Sequence, residues 1–177
     1  IEGNENDVAN IKAWELFWKY DLTAVNDFIT KDNINQIITD AGFEGDIGIL
    51  SVDIDGNDYW VLSAIDCVRP RILICEYNSV LGEKELVTIP YKEDFYRTES
   101  HYSNLYWGAS LGAFIDYADK NGYLYFGSNS AGNNAFFVRK DSVSEDLVPS
   151  KCREFVCSKY RESIDQNGRL TFLKGKE

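Results

Sequence analysis

The chain has 177 residues, 44% hydrophobic and 27% charged, with a formal net charge of −11, a balance that suits one soluble domain with a real core. The acidity argues against a nucleic-acid backbone as partner, which needs a basic face, and leaves small uncharged or cationic ligands open. No apolar run approaches the roughly 20 residues of a membrane helix, so a membrane partner is not expected.

The start, "IEG", reads as the end of a strand, and the chain contains no methionine. "NENDVANIKAWELFWKY" follows with Val8, Ile11, Leu16 and Trp18 at helical spacing. "LTAVNDF", Leu22 to Phe28, reads as a short strand. Thr30 suits a cap for a helix over "KDNINQIITDAG" that stops at Gly42. "DIGILSVDI", Asp46 to Ile54, is nearly continuously apolar, as a strand covered on both faces would be. "DYWVLSAI" is a short helix, and "RPRILICEYN", Arg69 to Asn78, a second buried strand.

The alternation predicts a parallel sheet with helices on both faces. Ser79 to Tyr106 breaks the pattern with a long polar, aromatic loop, expected to be functional or mobile. Gly108 to Gly122 spells an amphipathic helix ending at glycine. "YLYFGSN" and "NAFFVRK", joined by "SAGN", form an antiparallel hairpin. The division is an α/β domain over 1–141 and a polar extension over 142–177.

Of four cysteines, Cys67 and Cys75 sit among apolar residues as core thiols. Cys152 and Cys157 lack the companions of a zinc set, which leaves a reduced, cytoplasmic protein or one Cys152–Cys157 disulfide.

The acidic run "SVDIDGNDYW" ends the first buried strand. Asp53 and Asp55 share one side of it, because strand side chains alternate. Close carboxylates raise each other's proton affinity, which suits one as a base. Asn57 or Asp58 also fits a helix cap. Hard oxygen ligands at Asp53, Asp55 and Asp58 are a second reading, for Mg²⁺. Glu76 and Asn78 end the next buried strand and suit substrate contacts or satisfied strand-end polarity. His101, the single histidine, is a natural general base, beside Tyr102 and Trp107 that can stack on a flat substrate or pack the loop down.

"LSVDIDGNDYWVL" followed by "RPRILICEYN" resembles the FkbM-type family of S-adenosylmethionine-dependent methyltransferases, whose fourth strand reads like D-x-E/D-G-x-E before a short helix. "GASLGAFIDYADKNGYLYFGSNSAGNNAFFVRKD" looks like that family's closing helix, strand, hairpin and strand. The resemblance covers roughly Ile1 to Asp141. It implies a Rossmann-like, doubly wound, mostly parallel sheet in the order 3-2-1-4-5-7-6, closed by an antiparallel hairpin strand. This sequence supplies neither the family's first strand nor its Gly-rich turn, so the match runs from the second strand onward, with a gap expected between "IEG" and "ILSVDI".

The resemblance also implies O-methylation of a small-molecule or sugar hydroxyl. S-adenosylmethionine would be held by Glu2 at the ribose, Asn26 and Asp27 at the adenine, and Asp53 at the sulfonium. Asp53 and His101 would then be catalytic, with Asp55, Glu76, Asn78 and Tyr102 on the substrate side. The rival from another class is a binding or scaffold module on a similar fold without catalysis.

Overall fold

The computed structural model describes residues 1–144, 155–158 and 163–171. Its helices are α1 (Glu5–Ala13), α2 (Glu15–Lys19), α3 (Ile34–Asp40), α4 (Asp58–Ala64), α5 (Arg97–Ser100) and α6 (Leu111–Lys120). Its strands are β1 (Gly45–Val52), β2 (Val68–Glu76), β3 (Tyr123–Ser128), β4 (Asn134–Arg139), β5 (Ser163–Ile164) and β6 (Leu170–Thr171). Cys152 and most of the polar extension lie outside the described residues, so the Cys152–Cys157 pairing is not addressed.

The main sheet has the order β1-β2-β4-β3. β1 and β2 are parallel, and β4 is antiparallel to both β2 and β3. Three of the four strands therefore run one way and β4 reverses. The fold is mixed α/β, with β5 and β6 as a separate small hairpin.

One face of this sheet carries the core. Leu50, Leu73, Phe137 and Tyr125 align across the four strands, and Leu62 of α4 and Phe114 of α6 pack against them. Burying side chains such as Leu73 and Phe137 is worth about 1.5–3 kcal/mol each. α6 forms where expected: the Ser110 hydroxyl accepts the Ala113 N–H at 3.1 Å, and Gly122 ends it at φ 81°. A second cluster seats Ile34 and Ile38 of α3 on Val61 and Val68.

Several expectations are corrected. The N-terminal helix breaks at Trp14, whose backbone is extended, giving α1 and α2. Of its apolar residues only Val8 is buried, and Trp14 and Trp18 are exposed. Leu22 to Phe28 is not a strand; a single parallel bridge joins Glu2 to Asn26, because so short a neighbour offers nothing longer to pair with. Thr30 and Asn33 exchange side-chain to main-chain bonds of 2.7 and 3.2 Å in a turn, and α3 starts only at Ile34.

β1 is not covered on both faces. It lies at the sheet edge, and Ile49 is 60% exposed. Ile49, Ile72, Val138 and Leu124 form an apolar row on the opposite face that is buried only in part.

The long loop after β2 is pinned, with Ile89, Phe95 and Trp107 as its own small core. The Trp60 indole donates to the Ile89 carbonyl at 2.8 Å, and the Asn57 amide to that of Lys92 at 2.8 Å.

Candidate functional site

β1 and β2 run parallel, so Asp53 and Glu76 emerge at the same carboxyl edge of the sheet. Ligands of open α/β sheets collect at such edges. Asp53 stands at the solvent-facing side, while Glu76 is 8% exposed. Burial raises the Asp53 pKa first, the charge of Asp55 raises it further, and a hydrogen bond with Glu76 pulls it back. Glu76 is pushed up to about 9 by burial, then by the charges of Asp53, Asp58 and Asp55, with Arg97 opposing. The pair therefore keeps a proton at neutral pH, with Glu76 the more strongly raised member, and the two behave as one carboxyl–carboxylate unit. Among the described residues no N–H or O–H reaches the buried Glu76 Oε2.

The turn after β1 is built by Asp58. Its two oxygens accept the Ile54 and Gly56 N–H groups at 2.8 and 2.9 Å, and burial lifts its pKa to about 6. Asn57 makes no side-chain cap. Gly56 is required because a Cβ there would sit 2.2 Å from the Phe95 ring, and its carbonyl accepts the Gly108 N–H at 3.1 Å. The turn leaves Asp55 at φ 57°, a left-handed conformation uncommon outside glycine.

Asp55 meets Arg97, with an Nη1 to Oδ1 distance of 3.1 Å. Arg97 Nε donates to the Asn104 carbonyl at 3.1 Å, and its guanidinium lies 4.6 Å from the centre of the Trp107 ring. This side chain lines a cavity of about 230 Å³ together with Glu76, Asn78, Trp107 and the β3–β4 loop at Gly132.

Sequence reading had assigned Arg97 no role. The available signal was that it is the single arginine of a segment rich in Glu and Asp. Also missed was the 155–158 strap. Tyr77 donates to the Val156 carbonyl at 2.5 Å, and the Ser79 hydroxyl accepts the Ser158 N–H at 2.9 Å, which seats the strap against Gly132 at the cavity rim.

The other expected residues divide. Asn78 is fully buried and internally satisfied: its amide donates to Leu105 and Trp107 carbonyls at 2.9 and 3.0 Å, and its oxygen accepts the Val80 N–H. It shapes the cavity wall and has no donor left over for a substrate. His101 and Tyr102 are exposed, their rings tilted against each other with centroids 4.3 Å apart, and outside the cavity lining. His101 Nδ1 accepts the Ser103 N–H at 3.2 Å and lies 2.7 Å from the Ser103 hydroxyl, whose oxygen takes the Leu105 N–H. That arrangement puts the neutral ring's proton on Nε2 and leaves no lone pair facing outward for a general base.

Glu2 is half-buried, its Oε1 accepting the Asn4 N–H at 2.9 Å. Asn26 donates to the Glu2 carbonyl at 3.0 Å, and Asp27 is exposed beside it. Asp53, Asp55 and Asp58 do not form a metal triad, because Asp58 faces backbone amides and Asp55 faces Arg97. Among the described residues no group of three His, Cys, Asp or Glu side chains is gathered as a metal site, and no helix is long and apolar enough to cross a membrane. No protein-family model, no curated protein and no solved structure matches the chain.

Proposed function

We propose that the chain is a Rossmann-like, S-adenosylmethionine-dependent methyltransferase acting on a small-molecule or sugar hydroxyl. One observation carries the reading. The order β1-β2-β4-β3, with only β4 reversed, has the order and direction of strands 4, 5, 7 and 6 in that class, and an acidic pair stands at the carboxyl edge. The parallel Glu2–Asn26 bridge suits the neighbouring ends of strands 2 and 3. An acidic edge fits a sulfonium cation, with Asp53 beside it and Glu2 toward the ribose. The cofactor, when bound, supplies an electrophilic methyl group.

The chain's own residues then handle the acceptor. The buried Glu76 carboxyl accepts a hydrogen bond from the acceptor hydroxyl. The Glu76–Asp53 pair takes the proton as the oxygen is methylated, with Glu76 relaying its own proton to ionised Asp53. Trp107 and the loop core of Ile89 and Phe95 keep water from the buried side.

A non-catalytic binding module is favoured by one specific observation: the Asn26 amide and one Glu2 oxygen are already engaged by the protein. Titration of the protein with S-adenosylmethionine, then a methyl-transfer assay against hydroxylated acceptors, separates the two. Saturable binding with transfer supports the enzyme. Binding without transfer supports the module, and the absence of both binding and transfer defeats both readings.

A further inference from the structure

Arg97 is held with unusual care. Asp55 and Asn104 are the two non-glycine residues at positive φ among the described residues, both at 57°. Both bind Arg97, one through its carboxylate and one through its carbonyl. Left-handed backbone costs a non-glycine residue about 1 kcal/mol or more, and such outliers persist where surroundings over-determine them. Trp107 fixes the guanidinium plane from one face. The side chain is 21% exposed and its Nη2 has no partner among the described residues. Among the described residues it is the sole cationic side chain lining the cavity, in a protein of net charge −11. In the same cavity lies buried Glu76, whose Oε2 receives no hydrogen bond from the described residues.

We propose that this cavity binds a small hydroxycarboxylate, with its carboxylate on Arg97 and its hydroxyl donated to Glu76. A preorganised guanidinium recognises a planar carboxylate through charge-assisted bonds. A buried carboxyl that is protonated and already bonded to Asp53 keeps acceptor capacity for a hydroxyl. A volume of about 230 Å³ limits the ligand to a small one and leaves space beside Val80 and Leu105 for an apolar substituent. A neutral polyol would leave the Arg97 Nη2 without a carboxylate beyond that of Asp55, and a simple carboxylate would leave Glu76 Oε2 unmatched. As the methyl acceptor, this ligand class rests on the methyltransferase reading; as a bound ligand it does not.

The test uses glycerate, with glycerol and propionate as probes lacking the carboxylate or the hydroxyl. Binding is followed through the Arg97 side-chain N–H and Trp107 indole N–H resonances of the full chain, without cofactor. Glycerate is expected to bind about tenfold or more tightly than either comparator. Arg97→Lys keeps the charge, loses the fork, and is expected to weaken glycerate about tenfold while leaving glycerol unchanged. Equal binding of glycerol and glycerate by the unmodified protein, or no saturable glycerate binding, overturns the proposal without any variant having to fold. Undiminished glycerate binding by Arg97→Lys overturns it as well. Glycerate binding with no methyl transfer to any hydroxylated acceptor would instead sink the enzymatic reading alone. Transfer to a sugar with no glycerate binding would sink this proposal alone.

Discussion

Asp58 accepts the main-chain N–H of Ile54 at 2.8 Å and so closes the turn that presents Asp55 to Arg97. Its other oxygen takes the Gly56 N–H, and the side chain is fully buried. Asp58→Ala strands both amides away from water and is expected to destabilise the fold by about 2–4 kcal/mol in urea unfolding. Asp58→Asn keeps one acceptor and should lose about half as much. An alanine variant as stable as the parent would show that the turn forms without this carboxylate.

Stability should fall as pH rises. Glu76 and Asp58 both have folded pKa values raised above their ordinary ones, to about 9 and about 6, chiefly by burial. The folded state therefore binds more protons than the unfolded chain between roughly pH 4.5 and 9. The contribution is complete below the unfolded pKa and is lost as pH climbs through the folded one. One proton of difference sets a limiting slope of about 1.4 kcal/mol per pH unit. Denaturant midpoints should decline from pH 5 to 9, and Glu76→Gln should flatten the upper part of that decline. A midpoint that rises over this range would show that Glu76 ionises normally in the folded protein.

Asp53→Asn separates chemistry from folding. Asp53 is solvent-facing, so thermal unfolding should shift by no more than about 2 °C. Methyl transfer should fall about 10²–10⁴-fold, the usual worth of a proton acceptor. Removing the Asp53 charge also relieves Glu76, so the pH profile of residual activity should move to lower pH. Full activity in the variant removes Asp53 from the mechanism.

Local signals made much of the scaffold legible. Gly122 ends α6, the apolar run within Arg69 to Asn78 marks β2, and the short Gly-containing "SAGN" connection links β3 to β4. The strand-end position of Asp53 and Glu76 also follows from the pattern. What failed was non-local. Nothing near Arg97 in sequence reveals that Asp55 and Trp107 will hold it, since these contacts come from turn geometry at the far side of the sheet edge. The protonation of Glu76 depends on burial by a loop that reads as unstructured. The helical spacing of Val8, Ile11, Leu16 and Trp18 marks a helix, yet periodicity says nothing about whether a neighbour covers that face, and only Val8 is buried.

Two glycines should differ in how far they tolerate a methyl group. At Gly56 the added Cβ meets only the Phe95 ring, at 2.2 Å. Gly56→Ala is expected to cost about 1–3 kcal/mol, and Phe95→Leu in the same chain should recover part of it. At Gly132 the obstacle is the Cys157–Ser158 backbone at 2.6–2.7 Å, and φ is 77°. Gly132→Ala should displace the 155–158 strap, seen as faster hydrogen exchange at the Ser158 amide. Exchange unchanged in Gly132→Ala would show that the strap adjusts without loss.

The outer edge of β1 carries the last prediction. β1 pairs with β2 on one side and, among the described residues, with no strand on the other. Ile47 to Val52 contains no lysine, no proline and no bulge, the devices that normally blunt an open edge. Ile49 is 60% exposed, and its row continues through partly buried Ile72 and Val138. An unblunted edge beside an apolar face templates strand pairing between copies, so the 177-residue chain should self-associate as concentration rises, despite its net charge of −11. Ile49→Lys places a charge on that face without touching the core row of Leu50 and Leu73. It should reduce the weight-average mass in sedimentation at high concentration while changing the unfolding free energy by less than about 0.5 kcal/mol. A parent chain that stays monomeric at millimolar concentration would show that this edge is protected by something other than side-chain charge.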